Sequence, residues 1–145
     1  MSSQREDARK ALVTLLETLV GGEPSDVKVV YDHMPANFKN QSPVIVVSSA
    51  GSARSKLAFQ SVKSAYRVML TLLVAYPAAG DAMAEHEVET LLDAIEERIS
   101  DIVHSHNKTD QWKALSYADI SSVDSVLIGG KEYRREVIPL MVEVY

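Results

Sequence analysis

The chain has 145 residues and a formal net charge of −5, with 46% hydrophobic and 24% charged residues. That length suits one domain with a real core and is too short for two comfortable ones, and the apolar share excludes disorder throughout. The acidic balance offers no general positive field for nucleic acid, and the absence of cysteine excludes a disulfide framework, thiol catalysis and Cys-ligated zinc or iron–sulfur sites.

The opening "MSSQREDARKAL" carries charge from its fifth residue and has no apolar segment of signal-peptide type. Residues from about 6 to 20 put Ala8, Leu12, Leu15, Leu16 and Leu19 on one stripe at helical spacing, ended by Gly21 and Gly22. "VKVVY" (27–31) is a short strand candidate. Residues 32–42, with Pro35 and no periodicity, read as a loop, and "PVIVVSS" (43–49) reads as a strand.

Residues 49–56, "SAGSARSK", read as a Ser/Gly-rich loop bearing Arg54 and Lys56. The strongest strand follows at 66–76. Tyr66, Val68, Leu70, Leu72, Val74 and Tyr76 form one wholly apolar face. The other face, Arg67, Met69, Thr71, Leu73 and Ala75, is half apolar. The stretch around "VMLTLLVAYPAA" is too short to span a bilayer and is stopped by Pro77. These features together predict a cytosolic, single-domain protein.

An amphipathic helix is predicted over 81–104, with Asp81 as N-cap and Val88, Leu91, Leu92, Ile95, Ile99, Ile102 and Val103 inward. Its other side is acidic: Glu85, Glu89, Asp93, Glu96, Glu97 and Asp101. Residues 115–145 read as a C-terminal hairpin turning at Gly129–Gly130. In its last strand Ile138, Leu140, Val142 and Val144 form a core face, whereas Val137, Pro139, Met141, Glu143 and Tyr145 form a face that is neither core nor ordinary wet surface. The predicted fold is α+β, a mostly antiparallel sheet with two helices packed on one face. Such a sheet should be polar on its open side. Met69, Leu73, Val137 and Met141 break that rule, and a contiguous exposed apolar patch marks an interaction surface. Pro139 removes a backbone donor, so its strand is an edge or is bulged there.

Chemistry finds little foothold. His104 and His106 stand two apart at a helix end with no third ligand, and histidine there is accounted for by the helix dipole. "EHEVE" (85–89) lacks the second histidine of a zincin motif and reads as a solvated acidic face. "SAGSARSK" does not match G-x-x-x-x-G-K-[ST]. Trp112, the single tryptophan, suits either the core or an interface anchor, and the core or its edge is the preferred reading. No catalytic group, metal or cofactor is expected.

The order of elements, closing on "EYRREVIPLMVEVY", resembles the tail terminator and tail-completion proteins of long-tailed bacteriophages. The resemblance covers most of the chain in element order and rests on no diagnostic motif. It implies a virion protein without enzymatic activity, assembled in the host cytoplasm into a homo-oligomeric ring, usually hexameric. Such a ring sits on the end of the tail tube, halts tube polymerisation and presents a surface for head–tail joining. Its implied partners are other copies of itself, the tail tube protein and the head–tail connector, with DNA passing through the lumen without sequence-specific recognition and with no membrane. A head-completion or neck connector protein is the alternative within that class. A small ligand-binding or enzymatic α+β domain using the 49–56 loop is the alternative outside it. In the ring reading, Met69, Leu73, Val137, Pro139, Met141 and Tyr145 meet a neighbouring subunit or the tube, and Arg54 and Lys56 contact the tube or lie near the DNA.

Overall fold

The computed structural model describes residues 4–20, 27–39, 41–57, 61–76 and 82–144, with side chains omitted at 53–57, 61–64 and 82–85. The predicted Gly21–Gly22 helix stop, the Asp81 cap and Tyr145 lie outside the described residues.

Helix α1 (Gln4–Leu16) continues into a single 3-10 turn (Glu17–Leu19). Ala8, Leu12 and Leu16, one turn apart, are buried, and the Glu6 and Lys10 side chains pair at 2.8 Å on the wet side. Helix α2 (Ala82–Ser105) buries Val88, Leu92, Ile95, Ile99 and Val103, spaced four, three, four and four residues apart.

The strands are β1 (Val29–Tyr31), β2 (Val44–Leu57), β3 (Ser61–Ala75), β4 (Ala114–Tyr117), β5 (Ser122–Ile128) and β6 (Lys131–Val144). They form one six-stranded sheet in the order β1-β2-β3-β6-β4, with β5 also paired to β6. The fold is therefore a sheet-rich α+β fold with a mixed sheet, because β1 runs parallel to β2 while the other pairs are antiparallel. The parallel pair follows from connectivity: the 32–42 segment crosses back before β2 begins, where a tight turn would have given a hairpin.

Three sequence expectations are corrected. The 49–56 loop does not exist: those residues continue β2, which pairs with β3 down to Leu57 opposite Ser61. The Ser and Gly residues that suggested a loop mark instead a β-bulge between Ser49 and Gly51, with Gly51 at φ +145°. Accordingly the strands expected at 43–49 and 66–76 are parts of a long hairpin, Val44–Leu57 with Ser61–Ala75. The C-terminal hairpin of 115–145 is likewise three strands, of which only β5 and β6 form the hairpin. Their turn is the expected one, Gly129 and Gly130 at φ +59° and +79° between Ile128 and Lys131.

The main core joins Leu12 and Leu16 of α1 and Leu92, Ile95 and Ile99 of α2 to the even-numbered residues Tyr66–Val74 of β3 and Ile138–Val144 of β6. Fully burying each large apolar side chain contributes about 1.5–3 kcal/mol, so this cluster dominates stability. Trp112 is in it at 1% exposure, its indole N–H donating to the His106 carbonyl at 2.8 Å. The polar ends are also satisfied: the Tyr66 hydroxyl donates to Gln4 Oε1 at 3.1 Å.

Candidate functional site: the second face of the sheet

The odd-numbered residues of β3 and β6 lie on the opposite face, and that face has two halves. At one end a second, smaller core gathers Val44, Val46, Leu73 and Tyr133 under Phe38. Phe38 comes from the 32–42 segment and is 1% exposed. Its ring meets Tyr133 edge-on and stacks obliquely on Tyr31 at 5.7 Å. Leu73 is thus sealed within its own protomer at 0% exposure and leaves the expected interface set.

At the other end nothing comparable covers the sheet among the described residues. Met69 stands directly opposite Pro139 in the ladder, and Val137 and Met141 flank Pro139 on β6. Met69, Val137 and Met141 are half-buried and Pro139 is buried. These four residues are contiguous and line the floor of an open groove together with Ile120, except for Met141 beside it. Arg67 and Asp119, both exposed, stand on the groove's rim. An apolar floor with charged margins is the anatomy of a protein–protein contact patch. Beyond Val137 the face is closed by Arg135, whose Nε and Nη2 donate to the two Asp124 carboxylate oxygens at 2.8 and 2.6 Å. That bidentate bond, more than the nearby charge, holds the Asp124 carboxyl below its usual range.

Pro139 explains the groove's shape. Its carbonyl accepts from the Ala118 N–H at 2.9 Å, so its backbone polar groups point towards β4 and β5. On that side a ladder would require an N–H that proline lacks. Here the neighbouring edge breaks: Tyr117 pairs with Leu140 and Ser122 with Val137, leaving residues 118–121 to bulge out. The bulge is anchored. Ser121 Oγ donates to the buried Glu136 carboxylate at 2.7 Å, and Asp119 Oδ1 accepts from the Ile120 N–H at 2.8 Å. Ile120 is thereby held outward, 88% exposed, beside the groove. Sequence reasoning missed Ile120; the signal available was Pro139, whose missing donor required a break in the neighbouring strand.

Arg54 and Lys56 fall on β2, opposite Ser64 and Val62, in the part of the hairpin that leads to its tip. A ligand-binding reading that needs a flexible loop there loses its loop. At the helix end His104 is exposed, and His106 Nδ1 lies 3.1 Å from the Ile102 carbonyl. Glu89 of the acidic motif pairs with Arg134 at 2.7 Å. Among the described residues no group of three His, Asp or Glu side chains is arranged to hold a metal ion.

Compared with known proteins, the chain matches no protein-family model and no curated protein sequence.

Proposed function

We propose that this chain is a structural assembly protein of a long-tailed bacteriophage, forming a ring, hexameric by preference, that caps the tail tube, stops its growth and receives the head connector. The observation that carries the reading is the half-open second face: Met69, Val137 and Met141 around Pro139, with Ile120 fully outward beside them. The helices pack on the opposite face, a reading supported by the single buried cluster that unites α1 and α2 with the even-numbered residues of β3 and β6. With both helices engaged there, the open patch is left for sister subunits or the tube. A ring needs a head-to-tail contact in which one patch meets a different one on the next copy, and an apolar groove beside an outward isoleucine supplies two unlike surfaces. The cations of the β2–β3 hairpin, Arg54, Lys56, Lys63 and Arg67, lie in a stretch, 44–75, whose sequence contains no acidic residue. They suit an acidic tube surface or the phosphates of passing DNA.

The test is native mass measurement of the purified chain, alone and with purified tail tubes, followed by negative-stain imaging. Rings on tube ends are the expected result. Rings that bind connector preparations and ignore tubes would move the role to the neck, and a chain that stays monomeric with both would overturn the proposal.

A further inference from the structure

We propose that the free end of the β2–β3 hairpin binds the phosphate backbone of duplex DNA, entering a groove as a two-stranded ribbon with cations on both of its faces. This commits the cations of that hairpin to one kind of partner and does not depend on ring assembly.

The ladder shows where the hairpin leaves the sheet. β1 covers β2 only from Val44 to Val46, and β6 accompanies β3 only as far as Ser64, opposite Val144. The four pairs from Arg54–Ser64 to Leu57–Ser61 therefore run along the sheet's end with no further strand beyond Ser64 on either side among the described residues. At about 3.4 Å per residue, these pairs carry the ribbon roughly 10 Å outward.

Charge is segregated along the same segment. Residues 33–80 contain Lys39, Arg54, Lys56, Lys63 and Arg67 and no aspartate or glutamate, so all 20 acidic residues of the chain lie elsewhere. The net charge of −5 thus conceals a locally positive hairpin.

The β-bulge deals those cations to two faces. Ile45 and Val47 belong to the main core, and Ser49, opposite Val68, lies on the same side. The register then skips Ala50, so Ser52, opposite Tyr66, returns to that side, and Arg54 and Lys56 follow at alternate positions. Lys63, opposite Ser55, and Arg67, opposite Gly51, fall on the other side. Without the bulge all four would share one face, as a flat acidic partner would require. Cations on both faces of a narrow ribbon match a cleft with two negative walls. The DNA major groove is such a cleft, about 12 Å wide and 8.5 Å deep, and it admits a two-stranded β-ribbon. At the ribbon's root one exposed guanidinium stands by each face. Arg5 Nη1 donates to Ser52 Oγ at 3.3 Å on the helix-bearing side, and Arg67 is exposed on the other. Guanidinium groups are suited to phosphate by their charge and forked donors.

Fluorescence anisotropy of the full-length protein with a labelled duplex of mixed sequence tests this. Binding at about 50 mM salt is expected, weakened by roughly a few hundred-fold at about 200 mM, because five cations release about 0.9 counterion each. Arg54→Ala combined with Lys56→Ala should weaken binding by about tenfold or more and flatten the salt slope by about 2, while keeping the parental circular dichroism. Lys10→Ala combined with Lys108→Ala removes two exposed cations outside the hairpin and should leave the affinity near that of the parent. No binding at the lower salt would overturn the proposal, as would equal losses in the two double variants. Poly-glutamate that displaces the duplex as well as unlabelled duplex does would overturn it in favour of an acidic protein partner. Each of these failures leaves a ring found by native mass untouched, whereas a chain that binds duplex and never assembles would overturn the ring reading alone.

Discussion

The Phe38 and Tyr133 rings meet at a centroid distance of 5.3 Å and an angle of 85°, and this contact divides the second sheet face into a closed half and an open one. Edge-to-face aromatic pairs contribute about 0.5–1.5 kcal/mol beyond the area they bury. Phe38 also roofs Leu73, Val44 and Val46. Truncation therefore removes both burial and the roof, and Phe38→Ala is expected to lower unfolding free energy by about 3 kcal/mol, measured as a fall in the urea midpoint. A midpoint unchanged from the parent would mean that the 32–42 segment does not seal this half.

The two halves should respond oppositely to the same chemical insult. Leu73→Asp buries a carboxylate at a position with 0% exposure, at a cost of several kcal/mol, and is expected to yield unfolded or aggregated chain. Met141→Asp alters a half-buried residue of the open half and is expected to give parental circular dichroism with a native mass reduced to the monomer. Unfolding of Met141→Asp would assign that side chain to the core.

Much of this division was hidden in the sequence, for a physical reason. Alternation told the faces of β3 and β6 apart correctly: Tyr66, Val68, Leu70, Leu72 and Val74, and Ile138, Leu140, Val142 and Val144, are the buried face. Period-two patterning cannot tell which part of the second face a distant segment covers, so Leu73 and Met69 looked alike until Phe38 was seen above one of them. The stretch "SAGSARSK" misled because Ser and Gly punctuate loops and bulges with the same residues. Pro139 in the sequence predicts an edge or a bulge in its own strand. It lies on the central strand β6, and the irregularity is in the neighbour that would have needed its N–H.

The hairpin turn and the covering segment are coupled at one glycine. A β-carbon added at Gly129 would stand 3.0 Å from Asn37 Cβ, and Gly129 also has φ +59°, whereas Gly130 at φ +79° has open space around it. Both Gly→Ala changes incur left-handed backbone strain of about 1 kcal/mol, but only Gly129→Ala adds a clash with the segment carrying Phe38. Gly129→Ala is expected to lower the melting temperature more than Gly130→Ala. Equal losses would show that the turn does not press on that segment.

Two carboxylates give pH dependences of opposite sign. Burial, reinforced by Glu136, Asp93 and Glu97, raises the Glu96 carboxyl above its ordinary range. The folded state therefore holds that proton longer than the unfolded one, and stability falls as pH rises through this window. Glu96→Gln should melt higher than the parent at neutral pH, with the difference vanishing below the ordinary carboxylate range. Asp124, lowered chiefly by its hydrogen bonds to Arg135, contributes stability present above the ordinary range and lost as pH falls through its folded value. Asp124→Asn should melt slightly lower at neutral pH and match the parent in acid. Thermal melts across pH 2.5–8 (roughly the span over which carboxylates titrate) check both, and a reversed sign for either would contradict its assigned surroundings.

The claim that the rest depends on is that the open half of the second face is reserved for another subunit. Oxidative footprinting of the Met69 and Val137 side chains, compared between the monomeric Met141→Asp chain and the assembled parent, reads this most directly. The account predicts strong added protection of the Met69 and Val137 side chains on assembly, with the Leu73 side chain already protected in both. An assembled parent whose Met69 and Val137 side chains are modified as fast as in the monomer would contradict it.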